Sequence, residues 1–170
     1  SHKAGVTLSN WPLKNVTAAV EYTQTNSLTF KHRVPATTFT TNKYNLGHYL
    51  IDNSNEIYAT VTYQPCARLK GSLYGVKAQH GNEYEYIRIK GVQLDEYPYM
   101  KDVIWENITV GAKVDFTLVN TVTFTASIES VNHKAYDADD VKASVYLKTF
   151  SPAYYHGSNL IFSTGMRMNL

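Results

Sequence analysis

Val16-Thr17-Ala18-Ala19-Val20-Glu21-Tyr22-Thr23 is the stretch that decides the fold class. On an extended backbone successive side chains point to opposite faces. Val16, Ala18, Val20 and Tyr22 then share one face, opposed by Thr17, Ala19, Glu21 and Thr23. The same period-2 pattern recurs outward from this segment. Leu28, Phe30, His32 and Val34 follow the break at Thr25-Asn26-Ser27. Ile57, Ala59, Val61 and Tyr63 lie between Asp52-Asn53-Ser54-Asn55 and Pro65. A short strand is predicted from Leu73 to Ala78, and a long one from Tyr84 to Leu94 with a bulge at Gly91. Val114, Phe116 and Leu118 alternate with Asp115 and Thr117, and Val122, Phe124, Ala126 and Ile128 with Thr123, Thr125 and Ser127. Val141, Ala143, Val145 and Leu147 alternate with Lys142, Ser144 and Lys148, and a last run takes in Leu160, Phe162, Thr164, Met166 and Met168.

Helical periodicity is nearly absent. The acids of Asp137-Ala138-Asp139-Asp140 suit the first turn of a helix. The alternating, β-branched run that follows argues against extending it. About nine or ten strands in a chain of this length predict an all-β fold, an antiparallel β-sandwich of Ig-like, pilin-like or jelly-roll type with little or no helix. Alternation also predicts that one face of each strand is wet, as in antiparallel sheets. Residues 1–170 are expected to form a single domain, since no linker or repeat divides them.

Composition agrees. Of 170 residues 44% are hydrophobic and 18% charged, enough for a sizeable core and unlike a disordered chain. The 14 tyrosines and the many threonines suit a pleated surface. The net charge is +2, and the densest basic run, Lys31-His32-Arg33, is too short to track a phosphate backbone, so no nucleic-acid partner is expected. Cys66 is the sole cysteine, so no disulfide forms within the chain, and it reads as a small semi-buried residue. No window approaches the roughly 18 apolar residues of a membrane helix, and no membrane insertion is expected. The chain starts at Ser1 rather than Met, as a processed or trimmed form would.

Residues able to carry chemistry are scattered. His2, His32, His48, His80, His133 and His156 show no metal-ligand spacing. Asp137, Asp139 and Asp140 resemble half of a calcium loop, without the glycine and the closing glutamate it needs. Gly71-Ser72-Leu73-Tyr74-Gly75 lacks the spacing of a nucleophile elbow, and no phosphate-cradling glycine loop occurs. The expectation is a non-enzyme with no catalytic residues, no metal and no cofactor. Tyr84, Tyr86, Tyr97, Tyr99, Tyr154 and Tyr155 fall near predicted strand ends, where a flat ring with a polar tip suits a glycan or a protein receptor. Asn15-Val16-Thr17 and Asn107-Ile108-Thr109 match the glycosylation triplet.

An ordered apolar arm, residues 1–23, precedes the first clear hairpin. With Val16, Ala18, Val20 and Tyr22, and with the late run from Asp139 to Leu147, the chain resembles the donor-strand-exchange pilins of bacterial fimbriae and similar archaeal surface threads. It departs from them in continuing some twenty residues beyond that run, to Leu170, and in lacking a preceding Gly-Tyr. The resemblance implies an extracellular subunit that polymerises with itself by strand exchange into a surface filament, with Val16, Ala18, Val20 and Tyr22 as buried knobs in a neighbour. Alternatives are a capsid or spike jelly roll, suggested by Tyr86-Ile87-Arg88-Ile89-Lys90-Gly91-Val92 and placing the protein on a virion, and a carbohydrate-binding module using the tyrosines.

Overall fold

The structure, a computed structural model, describes residues 1–30, 40–41, 44–45, 49–82, 97–119, 121–138, 142–150 and 156–168. They form strands β1 (His2–Ser9), β2 (Val16–Thr25), β3 (Thr40–Thr41), β4 (Tyr44–Asn45), β5 (Ser54–Cys66), β6 (Leu69–Gly81), β7 (Val103–Val119), β8 (Val122–Ala135) and β9 (Gly157–Met168). One helix, α1 (Ala143–Phe150), lies between β8 and β9. The expected all-β class is therefore observed.

Seven strands make one antiparallel sheet in the order β1-β2-β5-β6-β7-β8-β9, and β3 pairs only with β4. Among the described residues no second sheet covers the first. Chain neighbours pair with chain neighbours, so the sheet is a meander, and its two ends differ. At one end the connections are tight: Ala67-Arg68 joins β5 to β6, residues 120–121 join β7 to β8, and residues 10–15 join β1 to β2. Asn10 and Asn15 hold positive φ angles of 58° and 61° in that turn, a region asparagine tolerates. The Asn15 amide donates to Asn10 Oδ1 at 2.8 Å and closes it. At the other end residues 26–53, 82–102 and 136–156 form long connections.

Val141 to Leu147 is corrected from strand to helix over its described part, Ala143 onward. Ala143 and Leu147 are spaced i, i+4 and both are buried, whereas Val145 between them is exposed. The Asp137 carboxylate accepts from the Ser144 amide and hydroxyl, each at 2.9 Å, and satisfies donors that an isolated helix start leaves open. An alternating run of four is compatible with either period, and this local capping selects the helix. The late strand on which the pilin resemblance leaned is thus helical from Ala143. Leu28 and Phe30 lie in a turn, and the predicted strand from Tyr84 to Leu94 lies outside the described residues.

The most occluded part of the molecule is polar and sits at the long-loop end. The buried apolar residues, among those described, are Ala78, Ile104, Ala143 and Leu147. Thr25, Asn53 and Ser54 are fully buried, with Thr23, Ser27 and Asp52 close to it. Asn53 Oδ1 accepts from the Met100 amide at 2.8 Å and from Ser27 Oγ at 3.4 Å, while Nδ2 donates to the Asn82 carbonyl at 2.7 Å. Its backbone bonds Asn26 and Gly81. One side chain therefore ties the connection after β2 to both ends of the connection between β6 and β7.

Candidate functional surfaces

The strand register assigns every side chain of the main sheet to one of two faces. Leu8, Ala18, Val61, Leu73, Ala112, Ile128 and Phe162 form one continuous row across all seven strands. The row beside it holds Val6, Val20, Ala59, Gly75, Val110, Ser130 and Leu160. Nearer the short turns lie Tyr63, Val114, Phe116, Phe124 and Met166. On the opposite face the equivalent row reads Thr17, Thr62, Ser72, Lys113, Ser127 and Ser163. One face is predominantly apolar, with Lys77 and Ser130 among its residues, and the other is predominantly polar, with Val76, Val131 and Ile161 among its own.

The exposure of the two faces is inverted relative to a water-soluble sheet. Phe162 is 70% exposed, Leu73 63% and Val110 59%. Between exposed Val114, Phe116 and Phe124, the polar alternates Asp115, Thr117 and Thr125 are only half-exposed. Seven strands at about 4.8 Å spacing, over a length of some eight residues at about 3.3 Å each, make a patch of roughly 800 Å² in projection. The largest apolar patches of soluble monomers reach about 300–600 Å².

The apolar band ends abruptly. Toward the long loops, Gln24, Asn55, Gln79, Glu106 and Lys134 occupy one level of the same face on five adjacent strands. Gln79 Nε2 donates to Glu106 Oε2 at 2.8 Å, with Lys77 3.8 Å from the same oxygen. Tyr22 stands just inside this polar border, and Tyr63, Phe116 and Phe124 near the other.

The polar face is internally bonded. Lys3 pairs with Glu21 at 2.9 Å, Thr62 with Ser72 at 3.0 Å, and Thr125 Oγ1 donates to Asp115 Oδ1 at 2.6 Å with Lys113 Nζ 3.4 Å from the same oxygen. Tyr74 lies flat across β7 and donates its hydroxyl to Glu129 on β8. Gly111 makes this crossing possible, since a methyl group there would overlap the Tyr74 ring.

The residues singled out from sequence fall as follows. Val16, Ala18, Val20 and Tyr22 lie together on the apolar face of β2, which is hydrogen-bonded to β1 on one side and β5 on the other within its own chain. Tyr97 and Tyr99 precede β7 and line a cleft of about 530 Å³ with Asn26, Leu28 and Thr29. Asn55 Nδ2 donates to the Tyr99 hydroxyl at 3.2 Å, and partial burial raises that hydroxyl's pKa above its ordinary value. Tyr84, Tyr86, Tyr154 and Tyr155 lie outside the described residues. Cys66 is free and exposed at the end of β5. Among the described residues no group of histidine, cysteine and carboxylate side chains could hold a metal ion, and no helix is long and apolar enough to cross a membrane.

Sequence reading missed β1, the first half of β7 and the sidedness of the sheet. A usable signal was present in the regular alternation of short turns with long polar connections. Comparison with known proteins returns no matching family model, no similar curated protein and no similar solved structure.

Proposed function

We propose that the seven-stranded sheet is a sector of a transmembrane β-barrel wall, with its apolar face against lipid and its polar face lining an aqueous interior. The observation that carries this reading is the inverted exposure, large apolar side chains outward and hydroxyl and charged side chains on the more occluded face. Spanning strands need about 9–11 tilted residues, and β5 to β9 have 13, 13, 17, 14 and 12. The polar border, the aromatic residues near both limits of the band and the alternation of tight turns with long loops support the same reading. In it the long loops face outward from the cell, and the Tyr97 and Tyr99 cleft among them is open to a partner. The expectation of no membrane insertion rested on helix length, a criterion that strands do not obey.

β1 and β9 are each paired on one side only among the described residues. Both run from the loop end to the turn end, so they are parallel to each other. Closing an all-antiparallel wall therefore takes an odd number of further strands. The same open edges favour a second reading, strand addition between copies into a filament, and a sandwich would require another sheet over the apolar face.

The test is reconstitution from urea into phosphatidylcholine vesicles. A membrane wall floats with the vesicles and keeps its strands protected from protease, while residues 26–53, 82–102 and 136–156 are cut. A monodisperse protein that stays in water without detergent refutes the membrane reading, and fibres in the electron microscope select the filament.

A further inference from the structure

At the short-turn end of the polar face, Arg68, Lys70, Lys113 and Arg167 surround a cleft of about 380 Å³ whose sole carboxylate is Asp115. The strand register fixes this grouping: Lys70 is opposite Asp115, which is opposite Thr125, and Arg167 is one level away beside Thr123. Asp115 is already bonded to Thr125 and paired with Lys113, so it leaves the two arginines without a carboxylate partner among the described residues. Arg68 is held in place because its carbonyl accepts from the Thr117 amide at 2.8 Å. Gly165 leaves open space on the same face, with nothing within 4 Å of where a side chain would begin. The whole chain carries only +2, so this one cleft, with four cations to one anion, holds all of its positive excess.

We infer that this cleft binds small polyvalent oxyanions, phosphate being the simplest. Guanidinium groups present forked N–H donors that match a tetrahedral or planar oxyanion, and the lysines add point charge. Lys3, the other lysine on this face among the described residues, is matched by Glu21. The inference rests on the barrel reading only for its consequence, that a ring of such groups at the inner mouth would favour anions entering the lumen.

The experiment is isothermal titration of inorganic phosphate into the full chain folded in detergent micelles, so that the binding test does not depend on bilayer insertion. Saturable binding that weakens with added salt is expected. Arg167→Gln combined with Lys70→Gln lowers the affinity by roughly tenfold or more, the loss of two charge-assisted contacts. Asp115→Asn raises it several-fold by removing the competing carboxylate while keeping an acceptor for Thr125. Lys3→Gln, at the far end of the same face, leaves it unchanged, and circular dichroism checks that each variant keeps its strands. Absence of saturable binding in the folded wild type, or equal loss in the Lys3→Gln and Arg167→Gln/Lys70→Gln variants, overturns the inference. Vesicle insertion without phosphate binding counts against this site alone, and binding without insertion counts against the barrel alone.

Discussion

Asn53 combines a left-handed backbone, φ 50°, with a side chain that uses both its carbonyl and its amide in a fully buried position. Asparagine is among the few non-glycine residues that accept this conformation readily. Gly81 packs against it so closely that a methyl group would sit 2.6 Å from Asn53 Nδ2. Asn53→Ala strands the Met100 amide and the Asn82 carbonyl and puts alanine in a strained region. The expected loss is about 2–4 kcal/mol in urea unfolding, from two unmet part-buried groups and the backbone penalty. Limited proteolysis should then cut residues 26–53 first. A loss below about 1 kcal/mol would show that these loops are held elsewhere. Little of this was legible in sequence. Asp52-Asn53-Ser54-Asn55 reads as a polar break, and only folding brings Ser27, Asn82 and Met100 to it.

Elements behave according to what each face meets. Val110 sits in the middle of the apolar band of β7, and Thr109 beside it points to the polar face. Val110→Lys is expected to cost about 2–4 kcal/mol in vesicle-reconstituted protein, the value for a charge at mid-bilayer. Thr109→Lys should change stability far less, because its ammonium reaches water. Equal effects of the two in vesicles would refute the assignment of faces. Helix α1 responds to pH through Asp137, whose carboxyl is held below the usual range first by the Ser144 amide and then by its hydroxyl. A depressed folded pKa means that this contribution is present above the ordinary carboxylate value, about 3.8, and disappears as pH falls through the lower folded one. Protection of the Ser144 amide from exchange, relative to an unstructured amide at the same pH, should therefore fall on acidification below about pH 4, and Asp137→Ala should show the low protection at neutral pH. The acidic turn was legible in sequence, but its use as a cap was not, since the acceptor lies seven residues from the amide it bonds.

At the scale of the whole molecule, the two ends of the sheet should report on opposite sides of a bilayer. Cys66, the only cysteine, is exposed at the short-turn end, while the long loops and the Asn53 junction are at the other. In vesicles with uniform orientation, a membrane-impermeant maleimide should reach Cys66 from the side opposite to that on which protease cuts residues 136–156. Labelling and cleavage from one side would exclude a spanning orientation. The two parallel edges, β1 and β9, give the same molecule a directional requirement, since antiparallel closure takes an odd number of strands from elsewhere. That requirement comes from counting strands in register, and no single segment carries it.

The sequence by itself determined the all-β class and the two-faced character of the central strands. Val16 to Tyr22, Ile57 to Tyr63 and Phe124 to Ile128 alternate because a pleated backbone turns successive side chains apart, and hydroxyl and apolar groups cannot share one solvent. It did not determine which solvent each face meets, because the same alternation serves a face packed on a core and a face packed on lipid. It also pointed to a strand over Val141 to Leu147, four alternating positions that fit a strand as well as a helix. The tertiary structure decided the sidedness of the sheet and the conformation of Ala143 to Leu147. Register joined the apolar residues of seven strands into one band with a polar border, uncovered among the described residues, and the Asp137 cap and the burial of Ala143 and Leu147 turned an apparent strand into α1.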